Sequence, residues 1–68
     1  MKVLIRNIRS HSYYGRNGEW VDTITLARDF AFTADAILFS RDRGLKGLEV
    51  LHLFPNQPAH NFTICIPE

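Results

Sequence analysis

With one cysteine, Cys65, the chain has no partner for an intramolecular disulfide, which fits a reducing compartment. Excess charge of either sign is also missing. Eight Lys and Arg against seven Asp and Glu leave a formal net charge of +1, too little for strong non-specific attraction to nucleic acid. No long apolar run occurs near the start: Met1–Arg9 alternates polar and apolar residues, unlike a signal peptide or a membrane helix. Together with the lone thiol, this predicts a cytoplasmic protein that makes no membrane contact. Glycine is confined to Gly15, Gly18, Gly44 and Gly47. Each has a turn to explain it, so no phosphate-cradling loop is expected. The acids are scattered, with no carboxylate pair for acid–base work. His11, His52 and His60 lack the short paired spacings of zinc ligands. No metal site, cofactor or catalytic residue is therefore predicted, and the chain reads as non-enzymatic. The one Cys–His encounter open to this pattern is His52 with Cys65 across a ladder; the structural alternative is a strand-rim histidine beside a buried small thiol.

What is present is a globular composition, 46% hydrophobic and 22% charged, in a length suited to a single domain spanning residues 1–68. A chain this short buries only about 60% of the surface its unfolded form exposes. Self-association would supplement so thin a core. The charges are unevenly placed: Lys2, Arg6, Arg9 and Arg16 precede the first acid, and Glu19, Asp22, Asp29 and Asp35 follow with Arg28 as the lone base among them. Pairing between these two segments across a sheet is the expected outcome.

The stretch Thr33–Phe54 organises the rest. Thr33 is placed to cap a helix and Asp35 to meet the positive end of its dipole. Ala34, Ile37, Leu38 and Arg41 follow the spacing of one helical face, widened by Phe39. Arg41 and Arg43 suit the last turn, Gly44 suits the left-handed stop, and Leu45 suits a return onto Phe39. Leu48–Phe54 is nearly continuous in apolar residues, as an interior strand covered on both faces would be. Pro55 ends it.

Around this core, Lys2–Ile8 reads as a strand with Val3 and Ile5 on one side and Leu4 and Ile8 on the other, beside Lys2 and Arg6. Asn17-Gly18 predicts a two-residue hairpin loop, facing Arg16 to Glu19, Gly15 to Trp20, Tyr14 to Val21 and Tyr13 to Asp22. Thr23–Phe32 predicts a single helical turn through Leu26-Ala27-Arg28-Asp29, capped by Thr23 or Thr25 and with Leu26 and Phe30 on one side, the irregular alternative being a segment pinned by Phe30 and Phe32. Asn61–Ile66 reads as the last strand, closed by Pro67. The expected fold is therefore α+β and two-layered. Its mostly antiparallel sheet has about four to five strands (β-β-β-α-β-β), with one main helix packed on one face.

The constellation with functional colour is Arg6, Arg9, His11, Tyr13, Tyr14, Arg16 and Trp20. Exposed Tyr, Trp and Arg are enriched where proteins meet. Arg6, Arg9, Tyr13, Tyr14, Arg16 and Trp20 are therefore predicted as an interaction surface for a protein partner or a second copy (a homodimer). Base stacking and phosphate contact by the same Arg/Tyr-rich sheet surface, giving a weak nucleic-acid-binding domain, is the alternative. The series Met1-Lys2…Leu4-Ile5, Tyr13-Tyr14, Gly18…Trp20, Ala27-Arg28-Asp29-Phe30, Ala36-Ile37…Phe39, Glu49…Leu51, Phe54 and Ile64…Ile66-Pro67 resembles a group of small uncharacterised bacterial α+β proteins. It spans almost the whole chain at structural positions. The resemblance implies a fold of that kind and brings no activity, cofactor or site residues with it.

Overall fold

Among the described residues five strands, β1 (Lys2–Asn7), β2 (Tyr13–Tyr14), β3 (Trp20–Val21), β4 (Leu48–Leu53) and β5 (Phe62–Cys65), form an antiparallel sheet in the order β3-β2-β1-β4-β5. A helix, α1 (Thr33–Asp42), lies on one face. The computed structural model describes residues 1–66; Pro67, expected to close the last strand, lies outside them. The expected two-layer α+β architecture is the one observed.

β1 and β4 are the centre, paired along their whole length from Lys2↔Leu53 to Asn7↔Leu48. Alternation then sorts the side chains. Val3, Ile5, Leu48 and Val50 join Tyr14, Phe30, Ala36 and Ile66 beneath the helix, with Ile37, Phe39 and Leu45 at the margin. Leu4 and Leu51 point to the other face, where Ala27, Tyr13 and Leu53 close around them. β4 is therefore buried on both faces, as its near-continuous apolarity requires.

The helix stops where its sequence says it should. Gly44 takes φ 65°; Leu45 N–H bonds Ser40 O (3.0 Å) and Gly44 N–H bonds Arg41 O (3.1 Å), which is the Schellman pattern. Its start and its buried face depart from expectation. Phe32 occupies the N-cap position without a side-chain cap, because the Thr33 hydroxyl is engaged by His52 instead. The face against the sheet is Ala36 and Ser40, both fully buried, whereas Leu38 is 54% exposed. Two small residues one turn apart let the helix settle closely onto β1 and β4, and Ser40 returns its hydroxyl to Ala36 O (3.0 Å). Ile37 and Phe39 then flank that ridge, and the bulkier Leu38 is left outside.

The hairpin also shifts. Tyr14 faces Trp20 and Tyr13 faces Val21, one residue away from the expected register. Asn17 keeps a negative φ and Gly18 alone turns positive, at 82°, so the loop has three residues instead of two. Gly15 N–H donates to Glu19 O across its base at 2.7 Å, and a Cβ at Gly15 would lie 2.7 Å from that same oxygen. Only glycine permits the approach.

The helical turn expected after Thr23 is a 3₁₀ turn over Ile24–Leu26, capped by Thr23, whose Oγ1 accepts from Thr25 N–H (3.2 Å). It ends earlier than expected because residues 27–30 are drawn out as a strand-like wedge. Ala27 bridges Gly15 and Phe30 bridges Val3, and Val3 N–H is capped by Asp29 Oδ1 (3.0 Å).

Candidate functional site

The six residues predicted as one surface are divided by the pleat. Arg6 and Tyr13 face each other on the side away from the helix. Tyr14 is buried beneath the helix side, edge-on to Phe39 (5.1 Å) and to Trp20 (5.5 Å). Trp20, 40% exposed, shares that side. Arg9 sits in the turn entering β2 and Arg16 in the loop leaving it, at opposite ends of the strand. Adjacent tyrosines in an extended strand must point to opposite faces, so no rotation of the hairpin gathers all six.

The expected charge pairing between the first and second segments is replaced by a longer-range one. Arg6 lies opposite Glu49 on the β1–β4 ladder and gives it both Nε (2.7 Å) and a terminal nitrogen (2.6 Å). Among the described residues this is the one ion pair. Asp29 is used on the Val3 backbone instead.

His52 and Cys65 do not meet. His52 faces Phe62, while Cys65 faces Glu49, roughly 10 Å further along the strand and on the other side of the sheet. Among the described residues no group of three His, Cys, Asp or Glu side chains is placed to hold a metal ion. His52 is buried, 2% exposed. Its Nε2 pairs with Thr33 Oγ1 at 2.7 Å, its ring lies flat on Phe62 (4.2 Å, 5°), and its buried Nδ1 has no partner among the described residues.

The feature that composition left hidden is the contrast between the two edges of the sheet. β3 is two residues long and flanked by Glu19 and Asp22, which is how native proteins guard an edge. β5 is twice that length and all four of its residues are exposed. It carries no charge and no proline. The helix packs chiefly on β1 and β4, leaving Phe62 47% and Ile64 40% exposed. Phe54, stacked at 6.3 Å from Phe62, extends the apolar strip.

The backbone of β5 is half used. Ile66 N–H bonds Leu48 O (3.2 Å), so the antiparallel alternation turns Phe62 and Ile64 inward, toward His52 and Val50. Thr63 and Cys65 then direct their N–H and C=O groups away from the sheet. These are the groups an added strand would bind.

Among the described residues no helix is long and apolar enough to cross a membrane. Comparison with protein-family models, with curated proteins and with solved structures finds no match to this chain.

Proposed function

We propose that this chain is a non-enzymatic interaction module whose docking element is the outer edge of β5, receiving an extended strand. The observation that carries this reading is the state of that edge: uncharged, exposed along its whole length, and presenting outward the backbone groups of Thr63 and Cys65, which have no partner among the described residues. Main-chain hydrogen bonds would hold the incoming strand, and Phe62 and Ile64 would read its alternate side chains. An exposed, unpaired Cys65 suits action in the reducing cytoplasm.

The nucleic-acid reading draws less support. Arg6 is neutralised by Glu49, Tyr14 belongs to the core, and Arg9, Arg16, Tyr13 and Trp20 are divided between the two ends of β2 and the two faces of the sheet. The test of the edge reading is amide exchange followed by NMR, with a synthetic peptide of residues 61–66 (serine replacing the cysteine) as the probe. Slowed exchange at Thr63 and Cys65, with β3 unaffected, is the expected result. Peptide binding that leaves those two amides unprotected, or no binding at all, overturns the proposal.

A further inference from the structure

Resting on the β5 reading, we infer that the strand received there is β5 of a second copy of this chain, related by a two-fold axis beside Ile64. Register selects this partner. Within β5 it is Thr63 and Cys65 that offer outward backbone groups, so a self-complementary pairing matches these residues with each other. Centring the axis on Ile64 sets Thr63 opposite Cys65 of the second copy, and Cys65 opposite its Thr63. Each such pair exchanges both N–H···O bonds.

Neighbouring registers do worse. Centring on Thr63 would match Cys65 with Asn61, whose N–H is already donated to Pro58 O (3.1 Å). Centring on Cys65 would match Thr63 with Pro67, which has no N–H to give. An axis between residues would set outward groups against inward ones and form no ladder.

The favoured register also aligns side chains. Ile64 meets its own copy at a non-hydrogen-bonded position, where Cα atoms stand about 4.5 Å apart. Phe62 falls opposite Ile66 of the second copy, on the same face. One apolar stripe then continues across the axis beneath the helix side of both sheets. Asn61–Ile66 has no charged residue, so nothing in the two strands repels. The pairing is isologous and closes on itself, giving a dimer with no further growth.

The test is site-directed cross-linking in the full chain. With Cys65→Ser to remove the native thiol, Ile64→Cys places thiols within disulfide reach across the axis. Mild oxidation should give a covalent species of about twice 7.8 kDa, lost when Thr63→Pro is added or when oxidation is carried out in urea. Wild-type Cys65, facing Thr63, should cross-link at least tenfold less. Sedimentation of the unmodified protein supplies a reading that needs no variant to fold: a concentration-dependent dimer is expected. A strict monomer from micromolar to millimolar concentration overturns the second-copy inference. So does a dimer in which the wild-type Cys65 links more readily than the Ile64→Cys thiol. Either result leaves the edge reading to stand or fall on peptide-induced protection of Thr63 and Cys65.

Discussion

Replacing Thr33 by valine removes one hydroxyl and almost nothing else, yet the structure gives it a definite cost. His52 is 2% exposed, and the sole hydrogen bond of its ring among the described residues is the one between Nε2 and Thr33 Oγ1. Nδ1 is already without a partner. In the variant neither ring nitrogen is satisfied, and a buried polar group left alone costs about 1–3 kcal/mol. The Thr33 end contributes little, since that residue is only half-buried and water can reach it. The expected destabilisation is therefore about 1–3 kcal/mol, equivalent to roughly 4–8 °C in Tm per kcal/mol for a domain of this length.

His52→Leu tests the cause. It removes both ring nitrogens at similar volume, and replacing a polar pair by apolar groups is close to neutral. Thr33→Val should then cost less than about 0.5 kcal/mol in the leucine background, a coupling within the range that contacting pairs show. Urea denaturation of the wild type, both single variants and the double variant measures all four corners. An equal cost of Thr33→Val in both backgrounds would refute the reasoning.

Two other substitutions probe the fold. Ile5→Ala removes a side chain with no exposed surface at the centre of β1 and should cost about 2–5 kcal/mol, of the order of the whole stability of so short a chain; a fall in Tm of only a few degrees by circular dichroism would contradict this core. Gly15→Ala sets a Cβ 2.7 Å from Glu19 O and should cost about 1–3 kcal/mol, with Trp20 fluorescence reporting the opened hairpin; an unperturbed hairpin would contradict the three-residue loop.

How much of this is legible in the sequence depends on whether the cause is local. Gly44 marks the end of the helix because a left-handed stop is decided within a few residues, and Leu48–Leu53 signals burial by its composition alone. The helix face is hidden because Ile37 and Leu38 look equivalent on a helical wheel, and only the closeness of the sheet selects Ala36 and Ser40. Asn17-Gly18 marks a hairpin correctly but not its register, which turns on the contact between Gly15 and Glu19 O. Thr33 looks like a cap for its own helix because His52, nineteen positions away, is invisible to local spacing. Tyr13 and Tyr14 draw attention as a pair, although strand alternation parts them. The β5 edge is the least legible. Phe62-Thr63-Ile64-Cys65 reads as an ordinary alternating strand, and its position at the margin follows from strand order, which depends on pairing across the whole chain.

The most direct measurement of the edge proposal is light scattering on the Thr63→Pro variant beside the Ile64→Pro variant. Thr63 directs its N–H outward, so proline there should keep the fold, with an unchanged circular dichroism spectrum, and abolish association. Ile64 directs its N–H to β4, so proline there should damage the fold itself. Association that survives Thr63→Pro in a folded protein would contradict the assignment of β5 as the docking edge.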